Sequence, residues 1–386
     1  MKQKDLFSII INLHTWLQSK SFNYYTLNSI YLPVNILNLC KKYNPLGVLV
    51  RQLYRISPFN FRRLICSKSL IKDDPQSITV LSIAYLLLYH QYSLNHFKEA
   101  YEMCEKKMLS MKINSFYNAF ALSQNRRVFV SFYHADENDA VPIWTALAGF
   151  YFLTAYKIFK HDKYIELAEQ VGNYFISIHP YKETIKGIYF SYKDEKTPEV
   201  YNASAIISAF LCQLGKMTEN KITYSYGVKG INYICNKQLD NGFWSYSEQN
   251  SKRYVDNFHT AYILLSIYIC LKDSFNKIWY ESFYNGLNVY VDQMFKRVSH
   301  DSIRPIHFHP NWIPRDSNII QKVDLRDSAT AIILFSIISQ EYPSYINTAR
   351  SILNWTNNHM KYGLTYMPEI TWLWKNKIPY LEYQSL

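Results

Sequence analysis

Four stretches decide the fold: VPIWTALAGFYFL (residues 141–153), EVYNASAIISAFL (199–211), VDNFHTAYILLSIYICL (255–271) and DLRDSATAIILFSII (324–338). Each leads through short polar residues into a small hydroxyl–alanine pair and then a long apolar run. The pairs are Thr145-Ala146, Ser204-Ala205, Thr260-Ala261 and Thr330-Ala331, and they recur after 59, 56 and 70 residues. That spacing holds one helix going in, one coming back and the loops between them. The runs are apolar nearly all round, so other helices must wrap them. Closing such hairpins into a ring gives an all-α fold, the α/α toroid, with inner apolar helices inside outer amphipathic ones. The hydroxyl pairs are expected at equivalent positions of the inner helices, where small side chains permit close approach.

Amphipathic segments alternate with these runs, starting at His96, Tyr164, Tyr224, Phe283 and Tyr345. Their apolar side chains return every three or four residues, with Lys, Glu, Asn and Gln opposite, which marks them as the outer helices. DDPQSITVLSIAYLLLYH (73–90) reads as a further inner helix, with Asp74 or Ser77 near its cap. Residues 1–70 are more irregular and are expected to be a helical extension that closes the ring, so that 1–386 form one domain.

Composition fits one large folded body. The 386 residues are 48% hydrophobic, and only 10 glycines and 13 prolines leave little material for a flexible linker. The net charge of +12 is spread along the chain, so it favours an anionic partner without marking a nucleic-acid-binding tail. Six cysteines (Cys40, Cys66, Cys104, Cys212, Cys235, Cys270) form no CxxC pair and mostly sit in apolar helical text, which suggests a reducing, cytoplasmic compartment. The N-terminal FSIIINL is too short for a secretory segment, and Ala261–Leu271, the longest apolar stretch, falls short of the ~20 residues that span a bilayer. At most a peripheral membrane contact is expected. No Walker A loop, dinucleotide glycine fingerprint or G-x-S-x-G elbow occurs, and neither a cofactor nor a metal is expected.

Three glycines, Gly187, Gly242 and Gly363, each precede a tyrosine by three to five residues, and the first two also precede a Phe or Trp. Glycine suits the left-handed turn after a helix, and the aromatics would then project from a short extended segment. Around a ring, they would line or plug the mouth of a central cleft. At the middle repeat, Lys229-Gly230-x-x-Tyr233-Ile234-x-x-x-Gln238-x-x-x-Gly242-x-Trp244 resembles the Q…G-x-W repeat of triterpene cyclases, which are α/α toroids. The resemblance implies that Gln238 bonds to neighbouring helix ends and that Trp244 packs over them. The cyclases' D-x-D-D acid and the D-D-x-x-D prenyl diphosphate motif are both missing, which disfavours a terpene cyclase.

A second resemblance covers most of residues 140–340. Asn202-Ala203-Ser204, then Gln238-Leu-Asp240-Asn-Gly242-Phe-Trp244-Ser-Tyr246, then Asp256-Asn257-Phe258-His259-Thr260 is similar to text in toroid proteins encoded among bacterial capsule and O-antigen genes. The chain departs from them upstream, where Asn118–Arg127 stands in place of a glycine- and tryptophan-rich stretch. The resemblance implies a role in surface-polysaccharide biosynthesis or modification.

Asp256 and His259 are three residues apart at a helix start, so they share a face if the helix has begun by Asp256 and separate if Asp256 caps it. Asn202, His259 and Arg326-Asp327 occupy corresponding positions of different repeats, and ring closure would bring them to one end. In β-elimination or C5 epimerisation of a uronic acid, Asn202 and Arg326 would neutralise the carboxylate while His259 or Tyr246 exchanges the proton. In an inverting hydrolase, Asp256 and Asp327 would serve as acid and base, roughly 6.5–9.5 Å apart. His307-Phe-His309-Pro-Asn311-Trp312 reads as a loop lining the cleft mouth, with an H-x-H pair lacking an evident third metal ligand. Trp144, Trp244, Trp312, Asn257 and His309 complete the expected substrate contacts.

These observations predict a protein that binds or processes a glycan, or a glycan-linked substrate, in a central cleft; the basic balance points to an acidic one. Polysaccharide-assembly enzymes would be further partners. The alternative is a non-catalytic glycan-binding scaffold of the glycosyltransferase machinery.

Overall fold

In the computed structural model, residues 3–20, 74–123, 128–130, 133–135, 139–193, 199–248, 254–311, 322–370 and 375–376 are described. They hold eleven helices: α1 (Gln3–Ser19), α2 (Pro75–Tyr92), α3 (Asn95–Ser110), α4 (Pro142–Phe159), α5 (Asp162–Ser177), α6 (Tyr201–Met217), α7 (Lys221–Cys235), α8 (Asn257–Asp273), α9 (Lys277–Gln293), α10 (Leu325–Ile338) and α11 (Tyr345–Met360). The even-numbered helices are the inner set. They pack in series from α2 to α10, and each turns back into an odd-numbered outer helix.

The division follows from side-chain patterning. α6 buries fourteen of its seventeen residues, including Ala205, Ala209, Phe210 and Leu211, whereas α5 buries only one stripe, of Tyr164, Ala168, Val171, Gly172, Tyr174 and Phe175. The inner helices are parallel, because an antiparallel outer helix separates each from the next, so their N-termini gather at one end. The α/α toroid read from the sequence is the fold found.

The hydroxyl positions are nearly as expected. Thr145, Ser204 and Thr260 are each the fourth residue of α4, α6 and α8, but the fourth residue of α10 is Ser328, and Thr330 lies two positions further on. The hydroxyls also do more than allow close approach. Thr145 Oγ1 accepts the Leu122 N–H at 3.0 Å and Ser204 Oγ accepts the Phe190 N–H at 3.1 Å, so they anchor the segments that lead into the inner helices.

Short antiparallel hairpins follow three outer helices: β3 (Tyr181–Thr184) with β4 (Gly187–Phe190), β5 (Phe295–Ser299) with β6 (Ser302–Pro305), and β8 (Lys361–Tyr362) with β9 (Thr365–Tyr366). β1 (Val128–Val130) pairs with β2 (Tyr133–Ala135), and β10 (Glu369–Ile370) pairs with both β7 (Val323–Asp324) and β11 (Lys375–Asn376). Gly187 (φ +130°) and Gly363 (φ +62°) therefore serve hairpin turns and not the helix ends expected.

Gln238 and Trp244 behave as the cyclase resemblance implies. Gln238 Nε2 donates to Gly242 O at 2.7 Å and to Ser282 O at 2.9 Å, tying the loop after α7 to α9. Trp244 is 2% exposed, donates Nε1–H to Ile234 O at 2.9 Å and covers Gly286, where any Cβ would strike its ring. Its placement among substrate contacts is thus corrected: it is a structural plug between α7 and α9.

α1 closes the ring. One face, with Phe7, Ile10, Ile11, Trp16 and Leu17, joins the core of the first hairpin, and Ile9 and Leu13 pack with Leu325, Trp355, Met360 and Tyr366 of the last. Residues 21–73, which include the rest of the expected extension (1–70), and Trp312 lie outside the described residues. Among the described residues no helix is long and apolar enough to cross a membrane.

Candidate functional site

The gathered N-termini of the inner helices form one polar end. Aspartates cap three of them: Asp74 accepts the Ser77 N–H (2.8 Å), Asp256 the His259 N–H (2.8 Å) and Asp324 the Arg326 N–H (3.0 Å). Valines stand at the same positions of α4 and α6, Val141 and Val200, and supply no side-chain cap.

Asp256 resolves the choice posed by its spacing, since it both caps α8 and pairs with His259. Oδ1 takes the backbone N–H, and Oδ2 lies 2.6 Å from His259 Nδ1. The carboxylate is 4% exposed, while the His259 side chain is 26% exposed. Burial pushes the Asp256 carboxyl up, but the facing His259 and His307 imidazoles outweigh it and hold the group below the usual carboxylate range. An ionised Asp256 fixes the proton of His259 on Nδ1 and leaves Nε2 with its lone pair.

Asp327 is fully buried, with Oδ2 2.9 Å from His307 Nδ1 and Oδ1 without a partner. Burial, reinforced by Asp324 and Asp256, raises its carboxyl despite His307, and the His307 imidazole is raised because Asp327 outweighs burial. His307 was legible only as half of an H-x-H pair. Nothing in the spacing links it to an aspartate twenty residues on. Among the described residues, no three His, Cys, Asp or Glu side chains converge as a metal would require.

Arg326 is at the site but committed. Its Nε and Nη2 lie 3.1 and 3.0 Å from the two oxygens of Asp324, and its guanidinium covers the Phe258 ring at 5.1 Å. Lys322 bridges Asp324 (3.1 Å) and Glu369 (2.6 Å) of β10. Two cations thus face two carboxylates, and this patch carries no net charge.

Tyr246 stacks on Tyr254 (4.9 Å between centroids, 8°) and sets its edge against His259 at 4.6 Å. Burial drives its phenol far above the usual range, so it stays protonated and can donate a hydrogen bond. Asn202 is buried at the second position of α6 with Oδ1 lacking a partner. Trp144 is buried and points Nε1 at Gln76 Oε1, 3.3 Å away.

Two expected contacts belong to the frame. Asn257 donates Nδ2–H to Met294 O and accepts from Tyr290 Oη, so both its polar atoms are spent. His309 is held by Gln293 at 2.7 Å and by the Asn311 N–H at 3.2 Å. The arrangement therefore brings together Asp256, His259, Tyr246, Asp327, His307 and Arg326, and offers one oriented imidazole beside a protonated phenol.

No known protein family matches the sequence, and no curated protein matches it. Solved structures do match its fold. An α-mannanase of glycoside hydrolase family 76 from Bacteroides thetaiotaomicron superposes with a TM-score of 0.60 at 10% identity, over 80% of this chain and 82% of that one. Cellobiose 2-epimerase from Bacillus thermoamylovorans gives 0.60 at 10% identity, over 81% and 86%. A D-mannose isomerase gives 0.57 at 12%, over 81% and 84%. The likeness shows that the chain shares the α/α-toroid fold of these proteins.

Proposed function

We propose that the protein is a carbohydrate-processing enzyme whose reaction is proton transfer at a carbon next to a carbonyl or carboxyl group, with His259 as the exchanging base. The observation that carries this reading is the His259–Asp256 pair: a buried carboxylate 2.6 Å from Nδ1 of an imidazole whose side chain is 26% exposed. Tyr246 supplies a neighbouring proton donor. The hydrolase alternative finds less support, because Asp256 has both oxygens engaged and Asp327 is wholly buried. Epimerases and an isomerase among the fold relatives agree with the reading.

The balanced Lys322–Arg326–Asp324–Glu369 patch suits a neutral sugar better than the acidic glycan suggested by the total charge. A place in surface-polysaccharide metabolism, beside assembly enzymes, rests on the resemblance at Asn202–Ser204, Gln238–Tyr246 and Asp256–Thr260, and a cytoplasmic location on the cysteine pattern. The test is deuterium incorporation from D2O, followed by NMR, into reducing mono- and disaccharides and uronic-acid oligosaccharides. Incorporation that vanishes in His259→Ala supports the proposal, and incorporation equal to wild type in that variant refutes it.

A further inference from the structure

The hairpins that follow α5, α9 and α11 can be compared with one another. In two of them the ladder lysine faces an uncharged tyrosine: Lys182 stands opposite Tyr189 in β3–β4, and Lys361 opposite Tyr366 in β8–β9. The acid of β3, Glu183, is taken by Lys229 of α7 at 2.6 Å. β5–β6 differs, because Lys296 and Arg304 are direct partners in its register. Opposite residues of an antiparallel pair share a face, with Cβ atoms about 5 Å apart, and like charges placed there repel.

No protein group relieves this pair. Among the described residues neither cation has an ion pair or a hydrogen bond, and Arg304 is half-buried with its Nε enclosed and lacking an acceptor. The hairpin's other charges are held in its turn: Asp301 Oδ1 accepts from Ser299 Oγ at 2.9 Å, Asp301 O accepts from Asn354 Nδ2 at 3.1 Å, and Arg297 Nη1 donates to His300 O at 3.0 Å. A half-buried guanidinium with no acceptor costs free energy unless one is supplied from outside.

β6 also leads directly to the candidate site. Arg304 precedes His307, the partner of Asp327, by three residues, at most about 11 Å of chain. We propose that Lys296 and Arg304 hold one oxyanion group, a carboxylate or a phosphate, on the glycan whose reacting unit lies at His259. The planar fork of Arg304 offers an oxyanion two parallel donors, and Lys296 adds a point charge from the facing strand. A bound anion removes the repulsion across the ladder and gives Arg304 an acceptor. The acidic group then sits on the hairpin, while the charge-balanced patch around Arg326 faces a neutral sugar. That a glycan carries the anion rests on the carbohydrate reading; the anion site itself does not.

Calorimetry of the full chain at low salt, with inorganic phosphate and digalacturonate as probes, tests the site. At least one should bind at millimolar concentration, and added sodium chloride should weaken it. Arg304→Gln and Lys296→Gln should each weaken it at least about tenfold, the loss of a charge-assisted bond. In phosphate-free buffer both variants should melt level with or above wild type, since the repelling pair has gone. A merely structural Arg304 would melt lower on substitution. Tighter digalacturonate supports the site and assigns a sugar carboxylate; tighter phosphate supports it and assigns a phosphorylated sugar. No binding of either probe, binding unchanged in both variants, or a lowered melting temperature in Arg304→Gln overturns it. His259→Ala is read by exchange and Arg304→Gln by anion binding, so either reading can fail without the other.

Discussion

His259 in α8 and Asp327 in α10 hold the same position, each the third residue of its helix and three residues past a buried aspartate, yet the two aspartates are spent differently. Asp256 gives its second oxygen to His259, whereas Asp324 gives both to Arg326. Asp327 is left to find His307 across the loop. One turn thus presents an oriented base and its neighbour a closed ion-pair patch.

Separating the two duties of Asp256 is possible because asparagine caps helices as well as aspartate does. Asp256→Asn should keep α8 capped, lowering the melting temperature only by the lost pairing of the ionised carboxylate with His259, while releasing the His259 tautomer. Exchange should fall by about 10²–10⁴, as far as in His259→Ala. Parallel melting and D2O-exchange measurements on both variants check this.

Trp244→Ala should destabilise the fold by about 3–5 kcal/mol, the range for a fully buried aromatic. Denaturant melts would show it, and Trp244→Phe, which keeps most of the packing but drops the bond to Ile234 O, should lose less. A variant that melts normally would mean that the ring is not a plug.

Much of this was legible because it is periodic. Five inner and five outer helices follow from apolar runs alternating with amphipathic text, and the work of Gln238 and the packing of Trp244 are what the resemblance to the cyclase repeat implies, although Trp244 also read as a substrate contact. The pairing of His307 with Asp327 was not legible, since it depends on where a loop lands. Nor was the spending of Arg326 on Asp324, because adjacent opposite charges read equally well as solvated surface. Asn257 resembled a site residue for being next to one, and only its bonds to Met294 and Tyr290 reveal a frame role.

The buried charges set opposite pH trends. Asp256 and Asp324 bind protons less readily folded than unfolded, so their stabilisation is whole above about pH 4 and drains as acid protonates them. Asp324→Asn should flatten the acid limb of a stability–pH curve. His307 binds its proton more readily folded, so its contribution is complete below about pH 6.5 and is lost as the pH rises through its folded value. His307→Asn should therefore cost more stability at pH 6 than at pH 9.

Gly242 holds φ at +85° with Val289 and Asn285 within 3.0–3.2 Å of any added Cβ. Gly242→Ala should cost about 1–2 kcal/mol for the left-handed backbone alone. Thermal melts would measure it, and Gly363→Ala, at φ +62° with open space around it, should show the backbone cost without the crowding.

The placement of α1 bears on how the chain folds as it is made. Leu13 leaves the ribosome 353 residues before its neighbour Tyr366. At about 5–20 residues per second that interval is roughly 20–70 s. Successive hairpins can dock during synthesis, but the seam must wait, with the apolar stripe of α1 held in reserve until the last hairpin arrives. A repeat array frays from its ends; this ring gains its final cooperativity in one late step that joins its beginning to its end.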